Sequence, residues 1–312
     1  MTGVLQAVSP LEIFALPFMW RALLTIAILA VAAGIVGLFI SFRELEFVSD
    51  GLVHAVFPGL VIGFAVGGGD GVLPGALVAA ILAAVLFTVL ERRGGVSADA
   101  AIAVVLTGLF SLGVVLVSRQ GGYVSQLQEM LFGRLLTVSA TELWQILVVA
   151  IAAVAVIAAT WRRQLFRSFD PVGFASAGFS IFATDLVLGI AVALLVVAGV
   201  QALGVRMVIA ILTVPMAAAR LITRRPALLV PLAILVPLGA GLVGLWLSFD
   251  WSVGLGATVS PGAVVVLLLV ACYLLAALLR VLSSRIAALR GSRAASGSDA
   301  PAAASCAEVD GQ

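Results

Sequence analysis

Two ionisable side chains, Asp50 and His54, stand four residues apart in a strongly apolar stretch, and His54 is the only histidine in the chain. In a helix this spacing places the carboxylate and the imidazole on one face, about one turn apart. One ionised side chain at the centre of a bilayer helix costs on the order of 3 kcal/mol, so such residues usually face a pathway or a partner. A carboxylate with a neutral imidazole suits Mn²⁺, Zn²⁺ or Fe²⁺. Asp50 and His54 are therefore a candidate pair of metal ligands.

The same pair has two alternative interpretations. In the first, Asp50 is the N-cap of a helix that begins at Gly51, and His54 is hydrogen-bonded to a neighbouring helix. In the second, Asp50 and His54 form the proton relay of an ion-coupled secondary carrier, which would need no ATPase. The spacing by itself leaves all three interpretations open.

Prolines mark predicted irregularities in the apolar runs. Pro58 and Gly59 follow the pair directly, and a proline inside a helix leaves a backbone carbonyl without its partner and bends the helix. Irregular helices in transporters tend to line cavities. Pro215, in a later run, is expected to kink its own helix and to line the pathway as well.

The composition excludes a water-soluble domain. Of the 312 residues, 63% are apolar and 10% charged, and the mean hydropathy is +1.27. All 17 basic residues are arginine. Without lysine the chain has neither a P-loop nor a Schiff-base lysine. Any ATP hydrolysis must therefore be carried out by another chain. With one histidine, no second acid cluster and no nucleophile constellation, the chain is predicted to be a transport subunit and not an enzyme, with no permanently bound cofactor and no nucleic-acid partner.

Nine apolar runs are long enough for a helix to cross the hydrocarbon layer. They cover residues 18–42, 51–67, 71–90, 100–118, 142–160, 183–203, 205–222, 226–248 and 258–282. The predicted fold is an all-α integral membrane bundle of about 8–9 transmembrane helices. In an alternative, one of the closely spaced runs 205–222 and 226–248 is re-entrant. The predicted organisation is an N-terminal segment at 1–17, a transmembrane domain at 18–290 and a disordered cytoplasmic tail at 291–312.

The positions of the arginines predict the orientation of the chain. If the connection at 161–182 is cytoplasmic, most arginines fall on the cytoplasmic side, as the positive-inside rule requires. Only Arg21, Arg119, Arg134 and Arg206 then lie outside. This arrangement predicts an outside N-terminus and an inside C-terminus.

The same cytoplasmic connection contains a second candidate site. Asp170 followed by Pro171 is typical of an N-cap with proline at the first helical position. Phe174 and Phe179 are then expected to lie, as an exposed pair, on a short helix that ends near Gly178. One interpretation is a surface that docks a partner protein. The other is an amphipathic helix on the inner membrane surface, with its arginines on lipid phosphates.

Six blocks of sequence, in order, resemble the permease subunits of ABC importers for manganese, zinc and related divalent metals. The second block contains the Asp, His, Pro and Gly of the family signature Gly-Asp-Ala-x-Ser-His-Ala-x-x-Pro-Gly. The blocks are PFMWRALL at 17–24, VSDGLVHAVFPG at 48–59, ADAAIAVVLTGLFSLGVVLVS at 98–118, LQEMLFGRLLTVS at 127–139, FDPVGFASAGFS at 169–180 and VRMVIAILTVPMAAARLITRR at 205–225.

The resemblance implies a multi-pass permease of the type II importer class in a bacterial cytoplasmic membrane. Its implied partners are a cytoplasmic ABC ATPase, an extracytoplasmic metal-binding protein, and a second copy of the chain or a related permease. By this resemblance Asp50 and His54 are ligands of the transported ion. The block from Asp170 to Phe179 resembles the coupling helix, which fits a groove on the ATPase.

Overall fold

The computed structural model describes residues 13–91, 98–118, 133–223, 225–254 and 259–296. Over these ranges the regular secondary structure is helical and contains no strand, so the predicted fold class is confirmed. The helices are α1 (Pro17–Phe42), α2 (Glu46–Ala55), α3 (Phe57–Leu90), α4 (Ala98–Ser118), α5 (Ala140–Phe169), α6 (Pro171–Ser176), α7 (Ile181–Ile222), α8 (Pro226–Gly254) and α9 (Pro261–Ser296), with one 3-10 turn at Leu135–Thr137.

Two of the long helices fold back on themselves at a glycine. In α3 the backbone of Gly68 has φ 59° and ψ −143°, a conformation that favours glycine over residues with a Cβ. The two arms of α3 then run side by side. They approach so closely that a Cβ on Gly63 would overlap the carbonyl oxygen of Gly71. Gly204 reverses α7 in the same way, with φ 77° and ψ 163°. A Cβ on Gly199 would lie 2.6 Å from Cγ2 of Val208 in the opposite arm.

These reversals explain the number of membrane-crossing segments. Six helical stretches in the described part of the chain are long and apolar enough to cross a membrane, and α2 continues into α3 as one of them. Two of the six contain the reversals at Gly68 and Gly204 and therefore provide two arms each. With the shorter apolar helix Ile102–Ser118, the described residues form the nine apolar segments that the sequence predicted.

The bundle has two polar ends, here called the Arg43 end and the Arg134 end. At the Arg43 end the Arg220 guanidinium donates to the carbonyl of Ser41 at 2.9 Å. At the Arg134 end the backbone N–H of Arg134 donates to the carbonyl of Ala202, also at 2.9 Å. The second arm of α7 therefore runs from one end of the bundle to the other, which excludes the re-entrant alternative for 205–222.

The helix α7 forms the centre of the core and contacts α1, α2, α3, α5, α8 and α9. Both of its arms are apolar around most of their circumference, as expected for a helix that is surrounded by others. Small side chains such as Ala191, Ala193 and Ala198 are buried and allow its neighbours to approach closely. On the periphery, α9 exposes a leucine-rich face and extends to Ser296, six residues past the predicted domain boundary at 290. Residues 297–312 lie outside the described ranges.

Candidate functional site

The helix α2 holds Asp50 and His54 in consecutive turns. Because α2 begins at Glu46, Asp50 lies inside the helix and does not cap it. The interpretation of Asp50 as the N-cap of a helix starting at Gly51 is therefore wrong. The helix begins more than one turn earlier than that interpretation required, since Val48, which packs against the core, is already helical. Asp50 and His54 consequently share one face, as their spacing predicted.

The imidazole of His54 is oriented by Asp50. Its Nδ1 lies 2.9 Å from the backbone carbonyl oxygen of Asp50 and 3.4 Å from carboxylate Oδ1 of the same residue. A carbonyl oxygen only accepts hydrogen bonds, so Nδ1 carries the proton and donates it. The neutral ring then has its lone pair on Nε2, and a hydrogen bond at the other nitrogen is how metal-binding histidines are usually oriented. The Nε2 atom of His54 is thus the nitrogen available to a metal ion.

Aromatic side chains border the pair on the side of α4. The Phe110 ring lies edge-on to His54, with 5.6 Å between ring centroids, and Phe57 packs on Phe110 at 5.4 Å. Gly113 makes room for this arrangement, because a Cβ there would overlap the ring of Phe57. This wall excludes water from one side of the imidazole. A low-dielectric border strengthens any electrostatic interaction of the pair.

Of the three predicted kink residues, two lie next to this pair and one is in another helix. Pro58 is near the start of α3 and has no N–H, so the carbonyl of His54, four residues earlier, lacks its regular helical donor. Gly59 lies where the arms of α3 touch, since a Cβ on it would overlap Ala79. Pro215 is buried in the second arm of α7.

A cavity at the Arg134 end lies along the continuation of the face that carries Asp50 and His54. It has a volume of about 380 Å³ and is lined by Val61 and Phe64, one and two turns beyond Phe57. Its polar lining residues are Asp70, Arg134, Glu142, Gln145 and Gln201. Arg134 and Glu142 form an ion pair at 2.9 Å. This cavity was not predicted, although Val61 follows His54 at the helical spacing of seven residues.

The short helix α6 is capped as the sequence predicted. The Asp170 carboxylate accepts from the backbone N–H of Gly173 at 2.7 Å, and Pro171 occupies the first turn. Gly178 takes φ 81° after the helix, where a left-handed backbone conformation favours glycine. The connection thus has a defined conformation despite a helix of only six residues.

The two phenylalanines of this connection do not form an exposed pair on the helix, which corrects that expectation, and Phe179 lies beyond the last helical residue, Ser176. Phe174 is fully buried and stacks on Phe179 at 5.1 Å, with Phe166 of α5 edge-on at 5.4 Å. A helix this short has too few hydrogen bonds to hold itself, so Phe174 anchors it to α5. The outward apolar surface consists of Val172, whose exposure is 75%, and the exposed Phe179.

A buried ion-pair network at the Arg43 end was not predicted. Arg43 donates to Asp185 at 2.8 Å, and Arg167 donates to the other carboxylate oxygen of Asp185 at 3.2 Å. Arg43 also donates to the Ser168 hydroxyl at 3.1 Å and to the side-chain oxygen of Gln164. Burial lowers the pKa of Arg43 to about 10, which still leaves the guanidinium charged at neutral pH. No local pattern connects residues so distant in sequence.

A profile of the ABC 3 transport family matches residues 15–280, which is most of the chain. The chain belongs to this family. The match to the ABC 3 transport family confirms the resemblance found in the six sequence blocks. It also places both sites described above, the Asp50–His54 pair and the α6 connection, inside the matched region.

Individual ABC 3 relatives are similar over most of their length. The chain is 29% identical over 248 residues to the manganese transport system membrane protein MntC of Halalkalibacterium halodurans, which covers 80% of this chain and 84% of that protein. It is 31% identical over 238 residues to the chelated iron transport system membrane protein YfeD of Yersinia pestis, covering 76% and 79%. Among solved structures, PsaBC from Streptococcus pneumoniae in complex with Fab matches with a TM-score of 0.75 and 25% identity, over 86% of this chain and 95% of that chain.

Proposed function

We propose that this chain is the permease subunit of an ATP-driven importer that moves a divalent transition-metal ion, Mn²⁺, Zn²⁺ or Fe²⁺, into the cytoplasm by alternating access. The observation that carries the proposal is the arrangement of Asp50 and His54. They form an acid and imidazole pair on one helical face, with Nε2 of His54 available, in a chain whose relatives are named for manganese and chelated-iron transport. Such a donor set binds borderline metals.

Two side chains do not complete the coordination shell of a transition metal. In the described part of the chain no group of three or more His, Cys, Asp and Glu residues could hold a metal ion. Further ligands would come from water, from the carbonyl of His54, or from the same pair in a second copy. Asp50 and His54 are accessible to such a copy, with side-chain exposures of 32% and 22%. An incomplete shell also suits transport, because conduction requires that the ion be released.

The energy for transport comes from a partner in this proposal. The chain contains no lysine and hence no P-loop, so a cytoplasmic ABC ATPase would bind and hydrolyse ATP. An extracytoplasmic metal-binding protein would deliver the ion at the Arg134 end, and the arginine-rich Arg43 end would face the cytoplasm. The chain would act as a dimer, or paired with a related permease, in the bacterial cytoplasmic membrane.

Uptake of metal should depend on ATP and not on a proton gradient. In vesicles containing this chain and its ATPase subunit, we expect ATP depletion to stop uptake of one of the three ions, because the permease itself has no energy source. A protonophore should leave uptake intact. The opposite result, uptake that survives ATP depletion and collapses with the proton gradient, would identify an ion-coupled secondary carrier that uses Asp50 and His54 as a proton relay.

The exposed surface of α6 is proposed to dock on the ATPase. Replacing Val172 by glutamate puts a charge into the centre of that surface and should raise the dissociation constant of the ATPase about tenfold or more. Val253, at the end of α8, has a similar exposure of 69% and provides a matched control. Binding of the purified ATPase to detergent-solubilised chain measures the effect. Equal binding by the Val172→Glu and Val253→Glu variants would exclude α6 from the interface and favour the membrane-surface interpretation.

A further inference from the structure

We propose that Arg43 is a positioning residue for transport, which links the docking helix α6 to the helix α2 that carries Asp50 and His54. When the ATPase displaces α6, the Arg43 network transmits the movement to α2. The inference rests on the proposed docking role of α6. It assigns the mechanical connection between that surface and the metal pathway to one buried guanidinium.

The backbone of Arg43 is held close to the start of α2. Arg43 follows the last residue of α1, and its N–H donates to the carbonyl of Phe39 at 3.2 Å. Only Glu44 and Leu45 separate it from α2, and Glu44 has φ 56°, an uncommon conformation for a residue with a Cβ. The Leu45 N–H closes the turn on Ile40 at 2.9 Å. A displacement of Arg43 therefore displaces the first turn of α2.

The side chain of Arg43 holds the two helices that flank α6. It bonds Ser168 in the last turn of α5, two residues before the cap of α6, and Asp185 in the first turns of α7. Arg167 bonds Asp185 as well, so both flanking helices are tied to each other and to Arg43. Only 7% of the Arg43 side chain is exposed. Breaking a buried pair leaves a charge uncompensated, so the network is expected to move as a unit.

The helix α2 has room to respond. One of its faces packs towards α7, where Ser49 and Leu52 line a cavity of about 200 Å³ together with Arg43 and Glu91. The cavity provides space for a shift of α2, and Glu91 gives the arginines a second carboxylate in the same cavity. Asp50 and His54 lie off this cavity, with His54 beside Phe110 of α4. A shift of α2 against α7 would therefore move both metal ligands relative to the wall formed by α4.

A structural role of Arg43 and a coupling role lead to different results when Arg43 is replaced. If Arg43 only stabilises the fold, its loss lowers the amount of assembled complex, and the remaining complexes transport normally. If Arg43 transmits movement, complexes without it still assemble and hydrolyse ATP but transport fewer ions. The decisive quantity is the number of ATP molecules hydrolysed per ion imported.

This ratio can be measured in vesicles containing the full complex with its ATPase subunit. For Arg43→Gln, and for the nearly isosteric Asp185→Asn, we expect the ATP consumed per imported ion to rise about tenfold, a typical size for coupling between sites. The double variant should show no larger rise than either single one, because both remove the same link. Arg220→Gln is the matched control: this arginine, in the last turn of α7, also bonds the end of α1, through Ser41, but lies far along α7 from the first turns that Arg43 holds next to α6. Its ratio should stay within about twofold of the wild type.

The proposal is overturned if assembled Arg43→Gln and Asp185→Asn complexes keep the wild-type ratio. It is also overturned if neither variant assembles, since the network would then be structural. These outcomes differ from failure of the proposed function, in which the wild-type complex itself shows no ATP-dependent metal uptake. They also differ from failure of the docking role of α6, which the Val172→Glu binding measurement reports directly.

Discussion

Replacing His54 by alanine, or Asp50 by asparagine, is expected to lower the initial rate of ATP-dependent metal uptake at least about 10- to 100-fold. Even residues that only support a metal ligand typically change affinity or activity by that factor, so loss of a ligand should cost no less. Both side chains are partly exposed on α2, so the complex should still assemble. Uptake of Mn²⁺, Zn²⁺ and Fe²⁺ into vesicles, measured side by side, would also identify the transported ion.

A neighbouring acid provides the control for this experiment. Glu46 lies on α2 one turn before Asp50, and Glu46→Gln removes a negative charge of the same kind from the first turn of the helix. Its uptake should stay close to that of the wild type. If instead the His54 and Asp50 variants transport as well as Glu46→Gln, the pair is structural. The pathway would then be sought near Pro215, the other predicted kink.

A methyl group on Gly63 is expected to destabilise the protein by about 1–3 kcal/mol, the usual cost of forcing extra volume into a packed site. The reason is the hairpin of α3, in which a Cβ on Gly63 would overlap the backbone carbonyl of Gly71. A backbone carbonyl has no rotamer by which to move away, so the arms must separate. The apparent unfolding temperature of the detergent-solubilised protein should fall by several degrees, roughly 2–4 °C per kcal/mol.

Gly67 is the matched control for this substitution. It lies one turn further along the same arm, and a Cβ on it would meet nothing within 4 Å. The Gly67→Ala variant should unfold close to the wild-type temperature. Equal unfolding temperatures for Gly63→Ala and Gly67→Ala would contradict the close approach of the two arms. Gly63 lies two turns beyond Ala55, the last residue of the helix that carries Asp50 and His54. Separation of the two arms of α3 should therefore also reduce metal uptake.

The sequence by itself determined the class of the protein and the position of its candidate metal ligands. Long apolar runs are a local property, and a helix is the only way for one such run to satisfy its own backbone in a bilayer. The spacing of Asp50 and His54, four residues apart, defines a shared face as soon as the segment is helical. The cap formed by Asp170 and Pro171 involves only four consecutive residues. All three features depend on neighbours in the chain, so the order of residues is enough to predict them.

Only the tertiary structure decided how these pieces act on one another. Asp185 is 142 residues from Arg43, and nothing in either segment indicates that they meet. The burial of Phe174 depends on Phe166 of α5 being in place beneath α6. The hairpin of α3 depends on pairs of glycines meeting across the turn at Gly68. Apolar periodicity shows which residues avoid water or enter lipid but not which helix they meet, because every apolar face is an equally good partner until shape and volume select one.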